Sequence, residues 1–338
     1  MALIFNRKVR FAFDRAVNGL TGVGNALIPA LSPERYGIRL TRDIPYRPTG
    51  RRSHRLDIYQ PSGNGPAPII FYVHGGGFSI LSKDTHRIMA LKLAQRGYMV
   101  VSTNYRVGTQ YAYPAPLEDV VTSLGWVLDH AAEYGGDVDR LALMGDSAGA
   151  NLVTALTYMA THHCPEPFAR QLYHRAPHIR ATIPVYGIHD VHDIERLWRG
   201  KHWPTWVKNE LREVSQTYLG RRQGLNFDSA PLASPLRLIE QNTRPRSRQM
   251  PPFLTAAGTR DPVLDDSRRL TQALRSQGVE CEFHIFPGEI HAFNVMLWRP
   301  AARSHWRRVY RFLHRHVRQA RTSNDTLPPH ESSVLNAK

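Results

Sequence analysis

Cysteine, acidic side chains and long apolar runs are all scarce in this chain. Only Cys164 and Cys281 occur among 338 residues. Two thiols cannot make a disulfide framework; they fit a reducing compartment, so a cytoplasmic setting is expected. No apolar run reaches the roughly eighteen residues that a membrane-spanning helix needs. The opening MALIFNRKVRFAF lacks the unbroken apolar centre of a secretory signal, because Arg7, Lys8 and Arg10 interrupt it. An amphipathic surface helix fits it better, with an organelle-targeting segment as the other reading. Acids number 28 against 44 lysines and arginines, a net charge of +16. The shortage is sharpest from Arg299 to Arg321, where eight arginines stand without one acid. Such charge can draw anionic lipid, nucleic acid or acidic substrates, and it can equally be a solvated surface. The solvated surface is the expectation, with weak contact with an anionic membrane surface beside it and no specific nucleic-acid partner.

What is present is an ordinary globular composition, 42% hydrophobic and 21% charged. Short apolar runs alternate with helical patterns. PIIFYVH (68–74), YMVVSTNYR (98–106), RLALMG (140–145), IRATIPVYG (179–187), PPFLTAAG (251–258) and CEFHIFPG (281–288) are predicted strands. Helices are predicted over 85–97, 116–135, 148–160, 263–277 and about 300–320. Strands alternating with helices imply an α/β fold, a mostly parallel central sheet flanked by helices. YGIRLTRDIPY and RRSHRLDIYQP are expected to add antiparallel edge strands. Residues 161–178, with Pro165, Pro167 and Pro177, read as a loop, and 188–230 interrupts the alternation. One domain over 1–321 is expected, followed by a polar, disordered tail over 322–338.

GDSAG (145–149) stands between a predicted strand and a predicted helix, the context of a nucleophile elbow. The sharp turn would lift the Ser147 hydroxyl above the sheet, with Gly145 and Gly149 avoiding collision with the neighbouring strand and helix. A serine needs a base, and the base an orienting acid, in the chain order Ser, Asp or Glu, His. Asp261 in GTRDPVLDD and His291 in PGEIHAF both come after strands, where such groups sit at carboxyl ends. Asp265, Asp266, Glu289 and His284 are the neighbouring competitors, and Asp261 has the plainer reading of a cap before Pro262. The stretch VHGGGF (73–78) then acquires a use. Gly76 and Gly77 can bring bare N–H groups to a developing oxyanion, Gly75 shapes the turn, and Ala148 supplies a further N–H. His74 is expected to be structural rather than a base.

HGGGF, GDSAGANL, DPVLDD and HAF together resemble the hormone-sensitive-lipase-like group of α/β-hydrolases, over roughly residues 55–320. The resemblance implies an esterase or lipase with Ser147 as nucleophile, His291 as base and Asp261 as its partner. It implies no metal or organic cofactor, short- to medium-chain acyl esters as substrates, and a small cap built from the N-terminal segment and an insertion. Residues 1–35 and 188–230 are the cap elements expected here. LWRGKHWPTW puts three of the six tryptophans within nine residues, so Trp198, Trp203 and Trp206, with Phe78, are the expected acyl-pocket residues. YRVGTQYAYPAPLED replaces the family's usual YRLAPE stretch, and Ala150 replaces a common glycine. An amidase such as an arylformamidase with the same triad is the alternative enzyme; a binding protein on this scaffold and a basic membrane or nucleic-acid binder are the alternatives outside catalysis. His162, His163, Cys164, His174, His178 and HDVHD (189–193) match no zinc spacing, and GLTGVG (19–24) lacks the strand a nucleotide loop requires.

Overall fold

Runs of valine, isoleucine and leucine with turn residues at both ends make strands that are covered on both faces. The computed structural model describes residues 32–63, 65–221, 225–242 and 246–319. The surface helix expected at the opening, nearly all of the expected N-terminal cap element and the expected tail over 322–338 lie outside those residues. Eight strands form one sheet: β1 (Arg39–Pro45), β2 (Arg55–Gln60), β3 (Ala67–Val73), β4 (Met99–Thr103), β5 (Gly136–Asp146), β6 (Ile179–Val185), β7 (Phe253–Gly258) and β8 (Cys281–Phe286). Their order is β1-β2-β4-β3-β5-β6-β7-β8. β1 and β2 pair antiparallel, as does β2 with β4, and every other neighbour is parallel. The sheet is therefore the α/β-hydrolase arrangement that the sequence implied, antiparallel edge included.

Eight α-helices are described: α1 (Arg87–Ala94), α2 (Ala115–His130), α3 (Ala148–Thr161), α4 (Pro167–Arg175), α5 (Thr205–Leu219), α6 (Pro235–Gln241), α7 (Leu264–Ser276) and α8 (Pro300–Leu313). Each residue of α3 is buried, which fits its composition of alanine, leucine, valine and threonine. α4 corrects the expectation of a loop over 161–178. Pro167 occupies the first turn, where a missing N–H costs nothing, and Ala169, Leu172 and Tyr173 then recur at helical spacing and are buried. The interruption at 188–230 carries α5 and a short 3-10 turn, Ile194–Leu197, between β6 and β7.

Two arginines just outside the ends of α8 pair with acids of β8 and of the loop after it, and a tyrosine of α8 meets the arginine that follows α1. Arg315 pairs with Glu282 at 2.8 Å, Arg299 with Glu289 at 2.9 Å, and the Arg96 guanidinium lies 4.7 Å from the Tyr310 ring centre. Among the described residues no helix is long and apolar enough to cross a membrane. The parallel strands decide where chemistry can assemble. β3, β5, β7 and β8 all point their carboxyl ends to one edge, and Val73 is registered against Gly145. The loop after β3 and the turn after β5 are thereby set side by side.

Candidate active site

Ser147 comes directly after β5 in a backbone conformation of φ 52°, ψ −114°, unusual for an L-residue. Its neighbours make the turn possible. A Cβ on Gly149 would lie 2.1 Å from the Val73 carbonyl oxygen, and one on Gly145 would lie 2.6 Å from the Gly149 backbone. Only hydrogen fits at either position, as the sequence pattern required. Ser147 N–H donates to the Val185 carbonyl at 3.0 Å, which ties the turn after β5 to the end of β6, and Ser147 is partly buried.

The hydroxyl oxygen lies 3.0 Å from His291 Nε2, across 144 positions of sequence. His291 Nδ1 lies 3.1 and 3.0 Å from the two carboxylate oxygens of Asp261. Asp261 is 3% exposed and also accepts the Val263 N–H at 3.0 Å, which closes a turn ahead of α7; the N-cap of that helix is Val263 rather than Asp261. With a carboxylate as its partner there, Nδ1 carries the proton, and Nε2 offers its lone pair to the serine O–H. Burial opposes the imidazolium, yet the charge and hydrogen bonding of Asp261 outweigh it and hold the His291 pKa above the ordinary histidine value.

One further residue packs against the imidazole and another holds that residue in place; sequence reasoning missed both. The Tyr186 ring meets it edge-on, centres 4.8 Å apart, and the Tyr186 hydroxyl donates to Asn294 Oδ1. Asn294 lies one turn beyond His291, and its carbonyl receives the Trp306 indole N–H at 3.0 Å. Tyr186→Leu is expected to lower kcat about tenfold with KM little changed, because a freed imidazole spends less time in line with the hydroxyl. Steady-state kinetics on an activated ester checks this.

The glycine loop after β3 takes backbone conformations that suit glycine. Gly76 has φ 117°, and a Cβ on it would lie 2.1 Å from the Ile80 carbonyl oxygen; Gly77 also has positive φ, 58°. The Gly76 carbonyl is turned inward to accept Ser79 and Ile80 N–H groups at 3.1 Å each. Among the described residues, none accepts a hydrogen bond from Gly76, Gly77 or Ala148 N–H, and Ala148 opens α3, where an N–H has no partner within the helix. His74 is structural. Its ring stacks on Tyr105 at 4.4 Å, its Nδ1–H donates to the Gly75 carbonyl at 2.7 Å, and burial pushes its pKa down to about 3.

The competing acids go elsewhere. Asp266 is buried against Arg196 and accepts His189 and Asp190 N–H groups at 2.7 and 3.1 Å. Asp265 pairs with Lys201 and Arg268, Glu289 with Arg299, and His284 lies 3.1 Å from Glu282. Of the expected pocket residues, Phe78 is fully buried and stacks face to face on Tyr218 of α5, centres 3.8 Å apart. Trp198 is covered by the Arg212 guanidinium at 4.9 Å, Trp203 packs at the core margin, and Trp206 is 43% exposed. Among the described residues none of the three tryptophans makes a ring contact with Phe78 or His291.

Residues 70–295 match a family described as alpha/beta hydrolase fold. An acetyl esterase from Salmonella schwarzengrund is 32% identical over 238 residues, 70% of this chain and 68% of that protein. Among solved structures, the esterase LipW from Mycobacterium marinum has a TM-score of 0.72 at 24% identity, covering 93% of this chain and 92% of its own. A bacterial heroin esterase has a TM-score of 0.71 at 20% identity, covering 92% and 91%. Both structures share the fold.

Proposed function

The chain belongs to the hormone-sensitive-lipase-like group of the alpha/beta hydrolase family and is a carboxylic ester hydrolase, and from that premise we propose that it cleaves short acyl esters through an acyl-enzyme on Ser147. The observation that carries this is the line of Ser147 Oγ, His291 and Asp261, with 3.0 Å between hydroxyl and imidazole. His291 Nε2 takes the hydroxyl proton as Oγ attacks the ester carbonyl. The oxygen of the tetrahedral intermediate receives N–H groups of Gly76, Gly77 and Ala148, each donor worth roughly 2.7–4 kcal/mol in comparable sites. Collapse expels the alcohol, which leaves with the proton returned by His291. Water then repeats the sequence on the acyl-enzyme and frees the carboxylic acid. Asp261 keeps the proton on Nδ1 and stabilises the cation.

A short acyl group is favoured by two things. The Salmonella relative is an acetyl esterase, and the Phe78–Tyr218 stack, with Tyr113 set edge-on to Tyr218 at 6.0 Å, fills space beside the glycine loop with rigid rings. In this reading the interruption at 188–230 acts as a cap through Tyr218. The substrate is a small molecule and no cofactor takes part. The basic surface serves as solvated charge. Profiling kcat/KM on p-nitrophenyl esters from acetate to palmitate tests the reading: the maximum is expected at acetate to butyrate, with a fall beyond hexanoate. A maximum at decanoate or longer would overturn the short-acyl assignment.

A further inference from the structure

A carboxylate stands in an awkward place. Asp146 immediately precedes Ser147 and is 7% exposed, close to where negative charge must develop. Its carboxylate also lies against the first glycine of the donor loop, since a Cβ on Gly75 would fall 2.5 Å from Asp146 Oδ2. Tyr72 donates its hydroxyl to Oδ1 at 2.8 Å, and His86 Nε2 lies 3.3 Å from Oδ2. His86, itself 7% exposed, closes the loop that begins at His74.

The surroundings of His86 determine its charge. Nε2 faces a carboxylate, and Nδ1 faces the Ser82 carbonyl at 3.2 Å. Both partners are acceptors. The Thr85 hydroxyl, 2.9 Å from Nδ1, already donates to that same carbonyl, so it too is placed to accept. A ring that donates from both nitrogens is an imidazolium. Burial opposes that charge, but Asp146 outweighs it and holds the His86 pKa above the ordinary value. The other ionisable groups facing the pair leave this intact. His74, 5.7 Å from the His86 ring, is neutral, Tyr72 is a donor, and Asp84 is taken by Arg42, Arg52 and Lys83. His291 feels the Asp146 charge as a minor upward influence. Lys83, fully buried between Asp57 at 2.8 Å and Asp43 at 3.0 Å, pins the same loop from the sheet side.

We propose that His86 and Asp146 are a buried charge pair that ties the glycine loop to the nucleophile turn and cancels the carboxylate's opposition to the oxyanion. Both are positioning residues, since neither touches substrate. The inference rests on Ser147 and its donor loop acting as proposed. If the pair acts this way, an imidazolium removed alone is worse than both charges removed together, because an uncompensated buried carboxylate is then left beside the intermediate.

The test is a double-mutant cycle on p-nitrophenyl acetate with His86→Asn, Asp146→Asn and the double variant. Loss of a whole oxyanion donor costs about 10²–10³-fold, so a displaced and opposed one is expected to cost His86→Asn roughly ten- to a hundredfold in kcat, with KM little changed. The double variant is expected to recover most of that loss. A double variant no faster than His86→Asn would overturn the proposal. Should a variant fail to fold, ¹⁵N spectra of imidazole-labelled wild type and of Ser147→Ala give the second reading. His86 is expected as an imidazolium at pH 7, and a neutral His86 would overturn the proposal. That measurement needs no turnover, so it fails separately from the nucleophile assignment, which retained activity in Ser147→Ala would sink.

Discussion

Ser147→Ala is expected to lower kcat/KM on p-nitrophenyl acetate by on the order of 10⁶-fold, the scale on which a triad acts as one unit. The substitution removes a single oxygen whose described side-chain partner is His291. Its effect on the fold should be small. Alanine can occupy the same turn, whose shape is set by Gly145 and Gly149 rather than by the hydroxyl. A thermal midpoint within a few degrees of wild type, beside a vanished rate, is therefore the expected pair of results. Residual turnover from the donor loop alone should remain above the uncatalysed rate.

Asp261→Asn carries the second large effect and the pH dependence. With His291 as the proposed base, its imidazole must be neutral, so kcat/KM is expected to fall as pH drops through the imidazole pKa. In the wild type that pKa is raised: burial pulls it down, but the charge and hydrogen bonding of Asp261 prevail. The acid limb should therefore lie above the ordinary histidine value near 6.5. Asparagine removes the principal upward influence and leaves the burial, so the limb should move to lower pH. The plateau should also fall by about 10⁴-fold, because an amide can donate to Nδ1 and stabilise the wrong tautomer. Stopped assays from pH 4 to 9 separate the two effects; a limb that stays in place would mean that Asp261 does not set the imidazole charge.

Much of this arrangement is readable in the residues, and for a physical reason. β3, β4 and the second half of β5 are buried on both faces, so their centres are written as short apolar runs. A nucleophile turn tolerates no side chain beside it, so glycine marks it. Asp261 and His291 must come after strands in a fixed order. Helix α4 is hidden by its prolines: Pro167 belongs to the first turn, yet beside Pro165 and Pro177 it looks like loop. Tyr186, His86 and Asp146 are hidden differently. Tyr186 and Asn294 are 108 positions apart, and His86 and Asp146 are 60 apart, so nothing local distinguishes them from packed residues. Asp146 offers one signal, a buried acid at the end of a strand and directly before Ser147, since such a group needs a counter-charge. Tyr218 is masked by the three tryptophans nearby, whereas its own helical spacing marks the inward face of α5.

The most direct measurement is the intact mass of the protein after reaction with a p-nitrophenyl phosphonate ester, with peptide mapping of the adduct. One adduct is expected, on Ser147, forming as hydrolytic activity disappears and absent from Ser147→Ala. An adduct on another side chain, or full labelling with activity preserved, would contradict the account.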